Sequence, residues 1–180
     1  MFNRDVIIAG FGGQGVLLAG KLLAWAGMLG GKRVTWFPSY GAEMRGGTAN
    51  CTVIISDDEI GSPVVDSPGA LVALNQASAD KFSGKVAKGG LILLNSSLVK
   101  SDIKRAGVKV VKLPANELAQ GLGSVRVVNM IMLGAYVRLS GAATLKDIAR
   151  AMDESLPDRN KPLIPVNLAA LEKGYSLVGG

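Results

Sequence analysis

Few side chains in this sequence are suited to chemistry, and their types limit what they can do. There is no histidine among the 180 residues, so the commonest general base and metal ligand are missing. Ser39 and Cys51 therefore have no imidazole to activate them as nucleophiles. Cys51 is the single cysteine, which excludes an internal disulfide and a self-contained iron–sulfur cluster needing about four thiolates. Asp57, Asp58 and Glu59 read as a solvated turn, and no spacing of Asp, Glu and Cys resembles a zinc or calcium centre. The expectation is a chain with no catalytic residue and no metal ligand of its own.

Two glycine-rich segments remain. Gly10-Phe11-Gly12-Gly13-Gln14-Gly15 follows the apolar run Val6–Ala9 and precedes apolar residues at helical spacing: Val16, Leu17, Leu22, Leu23, Ala26 and Leu29. This is the spacing and setting of a dinucleotide-binding turn, in which glycines let the backbone approach a phosphate at a helix N-terminus. Gly10, Gly12, Gly13, Gln14 and Gly15 are thus candidate cofactor-binding residues. Against that, the next strand, Val34–Phe37, runs into Pro38 with no acid to hold a ribose hydroxyl, and Gln14 is polar where a small apolar residue is usual. A structural turn or subunit contact uses the same glycines equally well.

The second segment is Tyr40-Gly41-Ala42-Glu43-Met44-Arg45-Gly46-Gly47. Loops that leave the carboxyl ends of parallel strands gather at one edge of the sheet, so this one is expected beside Gly10–Gly15. Tyr40, Glu43, Met44, Arg45, Gly46 and Gly47 read as a subunit interface or channel surface built on charge-assisted hydrogen bonds. The plainer alternative is an internal Glu43–Arg45 pair in an exposed turn.

These segments need a scaffold. Strand, turn, helix and strand open what reads as a parallel βαβ unit. Thr48–Ser56, Leu71–Asn75, Leu91–Asn95 and Gly107–Leu113 read as further strands, the middle two each ending in Asn. Helices are expected within Gln76–Lys88 and from Pro114 to Gln120, Val125 to Leu139, Thr144 onward and Pro162 to Tyr175. Residues 1–180 thus read as one α/β domain, a Rossmann-like, largely parallel sheet with flanking helices and a helical C-terminal third. No apolar stretch is long enough to span a bilayer and no secretory signal opens the chain, so the cytoplasm is the expected location.

The net charge of +6 concentrates between Lys81 and Lys112. With no aromatic interleaving beyond Phe82 and no helix-turn-helix or RNA-binding signature, a solvated face or an acidic protein partner is favoured over nucleic acid.

The motifs Gly10–Val16, Pro38–Gly47 and Val53–Pro63, in that order, resemble the gamma subunit family of 2-oxoacid:ferredoxin oxidoreductases. The Tyr-Gly-Ala-Glu-Met-Arg-Gly-Gly form is most similar to the 2-oxoglutarate and branched-chain 2-oxoacid members. The resemblance implies a subunit of an enzyme that oxidatively decarboxylates a 2-oxoacid, best taken as 2-oxoglutarate, to acyl-CoA, CO₂ and reduced ferredoxin. It implies thiamine diphosphate and Mg²⁺ between alpha and beta subunits, and iron–sulfur clusters and coenzyme A on or with partner subunits. A ferredoxin-like iron–sulfur subunit is implied as a further partner, with no cofactor held by this chain alone. Gly12, Gly13, Gln14, Tyr40, Glu43 and Arg45 would then form the contact surface, and apolar surface meant for partners would let the isolated chain self-associate. The competing reading is a free-standing nucleotide- or dinucleotide-binding protein using the Gly10–Gly15 loop.

Overall fold

A computed structural model describes residues 2–40 and 47–179. Six strands form one sheet: β1 (Asn3–Phe11), β2 (Arg33–Tyr40), β3 (Thr48–Ser56), β4 (Ala70–Ala73), β5 (Leu91–Asn95) and β6 (Lys109–Leu113), in the order β2-β3-β1-β4-β5-β6. β4, β5 and β6 continue parallel from β1, whereas β3 is antiparallel to both β1 and β2. Five of the six strands therefore run in one direction, as a largely parallel sheet requires.

The expected βαβ opening is altered in one respect. β1 and β2 run the same way and are joined by α1 (Val16–Leu29), but β3 lies between them. The connection from Tyr40 to Thr48 is too short for a parallel crossover, so β3 returns antiparallel beside β2. It then pairs with β1 over its whole length, Asn3 with Ser56 through Phe11 with Thr48. That pairing extends β1 beyond the apolar Val6–Ala9 run that marks it in the sequence.

The remaining helices are α2 (Gln76–Phe82), α3 (Ala115–Gly121), α4 (Val128–Ser140), α5 (Leu145–Ser155) and α6 (Ile164–Leu177). The apolar run from Val125 begins as a 3₁₀ turn, Val125–Val127, before α4 starts. Ser124 caps that turn by accepting the Arg126 N–H, and Thr144 caps α5 by accepting the Asp147 N–H.

Alternation along the strands divides the core. Val6, Ile8, Val53, Ile55, Val72 and Leu93 face a large cluster with α1, α3, α4, α5 and α6. Ile7, Ala9, Leu71, Ala73, Ile92 and Leu94 face a smaller one under α2. α4 is buried from Val128 to Val137, the mark of a helix enclosed on every side. It touches α6 backbone to backbone: a Cβ on Gly134 would lie 1.9 Å from the Leu171 carbonyl oxygen, and one on Gly174 would lie 1.8 Å from that of Ile131. No helix among the described residues is long and apolar enough to cross a membrane.

Candidate functional site

The carboxyl edge of the parallel strands is finished by side-chain amides. From β1 the chain enters the Phe11–Gly15 turn, where Gly13 and Gly15 take positive φ values of 95° and 72°, which side chains with a Cβ rarely adopt. Gly15 is the N-cap of α1. Its carbonyl oxygen accepts the Asn129 amide at 3.0 Å, which ties the turn to buried α4.

Gln14 folds back over the turn. Its Oε1 accepts the Phe11 N–H at 2.7 Å and the Asn75 Nδ2 amide at 3.0 Å. A Cβ on Gly10 would lie 2.6 Å from that oxygen, so the first glycine makes room for Gln14 itself. The bridge also spans the point where the chain's path across the sheet reverses, β1 leading to the β2 side and β4 to the β6 side. In open α/β sheets that crevice is where ligands bind. Here the Gln14 side-chain oxygen braces the turn against the end of β4.

Sequence reasoning noticed that two strands end in Asn without seeing what the amides do. Asn75 Oδ1 accepts the Ser78 N–H and caps α2. Asn95 Nδ2 donates to Leu74 O at 3.2 Å and Asn116 Oδ1 at 2.8 Å, while its Oδ1 accepts from Ala115 N at 3.2 Å. The Ser97 hydroxyl accepts the Asn116 N–H and donates to Glu117, and that hydrogen bond holds the Glu117 carboxyl below its ordinary value. Asn75, Asn95 and Asn129 are buried and bonded, so they rigidify the edge. The only signal for Asn129 in the sequence was a polar residue inside an apolar helix.

The second segment meets the first as expected at its far end. Gly12 N donates to Gly47 O at 3.0 Å, Phe11 pairs with Thr48, and Tyr40 pairs with Ala49 as the last residue of β2. Glu43, Met44, Arg45 and Gly46 lie outside the described residues. The third motif, Val53–Pro63, goes elsewhere. It leaves β3 at the amino edge of β1, where Asp57 accepts the Phe2 N–H at 2.8 Å and the Lys32 ammonium at 2.6 Å. A cavity of about 400 Å³ also opens at that amino edge, between Arg4, Asp5, Lys88 and Tyr136, and does not touch the glycine turn.

Among the described residues neither an iron–sulfur cluster nor a metal ion finds a set of ligands. Cys51 is buried on β3 with its thiol directed at Val16 O, 3.7 Å away, and burial pushes the thiol up to about 12, so it offers no thiolate to a cluster. No group of three or more His, Cys, Asp or Glu among the described residues could hold a metal ion.

Residues 5–177 match the family described as pyruvate ferredoxin/flavodoxin oxidoreductase. The chain belongs to that family. It is 41% identical over 169 residues to ketoisovalerate oxidoreductase subunit VorA of Methanothermobacter thermautotrophicus, covering 94% of this chain but 35% of VorA. The chain thus spans about a third of that relative's length. With 2-oxoglutarate synthase subunit KorC of Methanocaldococcus jannaschii it is 35% identical over 178 residues, covering 97% of this chain and 94% of KorC. The solved gamma subunit of the keto/oxoacid ferredoxin oxidoreductase from Geobacter sulfurreducens superposes with a TM-score of 0.84 at 29% identity, over 98% of this chain and 96% of that one. Within this oxidoreductase family, then, the fold is that of a gamma subunit, and the free-standing nucleotide-binding reading finds no support.

Proposed function

We propose that this chain is the gamma-type subunit of a cytoplasmic 2-oxoacid:ferredoxin oxidoreductase. It would assemble with alpha and beta subunits that hold thiamine diphosphate and Mg²⁺, and with a ferredoxin-like iron–sulfur subunit. The whole complex would convert a 2-oxoacid and coenzyme A to acyl-CoA and CO₂, passing electrons to ferredoxin. The observation that carries this reading is the braced turn: Gln14 is held by the Phe11 N–H and the Asn75 amide, while Phe11, Gly12 and Gly13 remain exposed at its tip. A turn braced in this way, joined to the strand that follows Arg45 and exposed at its tip, is suited to touching a neighbour. Beside it, Trp36 and Phe37 on edge strand β2 are 36% and 46% exposed, and large apolar residues left in solvent mark contact surface.

The substrate we favour is 2-oxoglutarate, because KorC corresponds to this chain end to end. A branched-chain 2-oxoacid is the second reading, supported by the higher identity to VorA.

Anaerobic affinity purification of the tagged chain from its native cells tests the proposal. Thiamine-binding and iron–sulfur subunits should accompany it, with CoA-dependent dye reduction fastest on 2-oxoglutarate. Fastest turnover of 2-oxoisovalerate would select the second reading, and a chain recovered alone and inactive would sink both. Arg45→Ala should weaken assembly or turnover; an intact, fully active complex would remove Arg45 from the interface.

A further inference from the structure

We propose that the border of the sheet at β6, with the adjoining α2–β5 and β5–β6 connections, is a docking face for an acidic protein surface. Residues 81–112 carry Lys81, Lys85, Lys88, Lys100, Lys104, Arg105, Lys109 and Lys112 against a single acid, Asp102. That stretch holds more positive charge than the +6 of the entire chain, so the remainder is slightly acidic.

The fold gathers these charges into one region. Arg105 Nη1 donates to Ser83 O at 2.9 Å. Lys109 N donates to Gly90 O at 2.9 Å, and Gly89 N to Gly107 O, so the two connections lie side by side. Asp102 is shared between Lys104 at 2.7 Å and Lys112 at 3.1 Å. Exposed Lys81, Lys85, Lys88 and Lys109 have no carboxylate partner among the described residues.

Two simpler roles account for less. Lysines on an edge strand discourage edge-to-edge pairing, but Lys109 and Lys112 on β6 suffice for that, and Lys81, Lys85 and Lys88 lie off the strand. Nucleic acid is gripped by stacking and by forked guanidinium–phosphate contacts. Phe82 is only 8% exposed, with the Lys81 ammonium 5.1 Å from its ring centroid. Arg105, the one guanidinium, is half-buried and committed to Ser83. What remains is a field of lysine point charges on a border that also carries half-buried Ile103, Val108 and Val110. An apolar patch rimmed by charge of one sign steers and orients a protein of opposite sign.

This proposal does not rest on the subunit reading and is tested on the full chain by itself. Fluorescence anisotropy would follow binding of labelled poly-L-glutamate, and separately of a DNA duplex of matched charge, at low and at physiological salt. The variant K81E/K85E/K88E should bind polyglutamate about tenfold more weakly, and K146E/R159E/K173E, with the same net charge, less than about twofold more weakly. The neutral K81Q/K85Q/K88Q should fall between the wild type and the reversed variant. Equal losses in the two reversed triples would mean that net charge, and not this face, does the binding, and would overturn the proposal. So would tighter binding of the duplex than of polyglutamate by the wild-type chain.

Discussion

At one side of the sheet β2 leaves Phe37 and part of Trp36 exposed, while at the other β6 offers Lys109 and Lys112. Both are edge strands with an unpaired backbone, yet they face the same hazard differently. β6 is guarded by charge. β2 contains Pro38, which lacks an N–H, and leads directly into the Tyr40–Gly47 segment. Its other protection would come from a neighbour that covers the aromatic residues. The contrast suggests a division of work, with apolar contact at β2 setting how long a complex lasts and cationic β6 setting how fast a partner arrives.

The largest effect is expected from disturbing the support beneath the apolar edge. A Cβ on Gly20 would lie 2.3 Å from Cys51 Sγ and 3.1 Å from Trp36 Nε1. Gly20→Ala should therefore push α1 off β2 and β3 and destabilise the chain by about 3 kcal/mol in urea unfolding. Removing the thiol in Gly20→Ala/Cys51→Ala should recover part of that loss. A single variant as stable as wild type would mean that the helix–sheet contact is softer than its geometry implies.

A smaller effect, visible only in assembly, is expected at the surface of the same edge. Phe37→Asp should cost about 2 kcal/mol in association with the partner subunits, the scale of an interface anchor. Its melting temperature should stay near that of wild type. If it still co-purifies normally, β2 is not the covered edge and the contrast with β6 loses one half.

The smallest effect belongs to the lysine edge. Hydrogen bonds from Lys104 and Lys112 hold the exposed Asp102 carboxyl below its ordinary value. A carboxyl whose value is lowered on folding stabilises the fold above the ordinary carboxylate range, and that contribution fades as pH falls through the lowered value. For so exposed a group it is slight. Asp102→Asn should leave the melting temperature almost unchanged at neutral pH, flatten its decline in acid slightly, and tighten polyglutamate binding by removing an opposing charge. Weaker polyglutamate binding would show that Asp102 positions the lysines and does not merely screen them.

Much of this organisation was legible in the residues. The helix starting at Val16 follows from its apolar spacing, and the buried strands at Leu71 and Leu91 follow from unbroken aliphatic runs. The nearness of Gly12 to Gly47 follows from loops sharing one edge. The order of the strands was not legible, because β3 could have added outside β2; only its nine-residue pairing with β1 places it between them. The bracing of the turn was hidden as well. Gln14 signals a departure from a dinucleotide site, but the amide that donates to it, Asn75 Nδ2, is 61 residues away.

The sequence by itself determined what this chain cannot do. Without histidine and with one cysteine it lacks the usual general base and the thiolates for a self-contained cluster, and this follows from composition however it folds. It also determined that positive charge would collect somewhere between Lys81 and Lys112. Only the tertiary structure decided that Gln14 braces the glycine turn against Asn75, that Val53–Pro63 departs to the opposite edge, and that lysines from two connections join a single border. Those outcomes depend on hydrogen bonds between residues far apart in the chain, and such contacts exist only once the sheet has fixed which strands are neighbours.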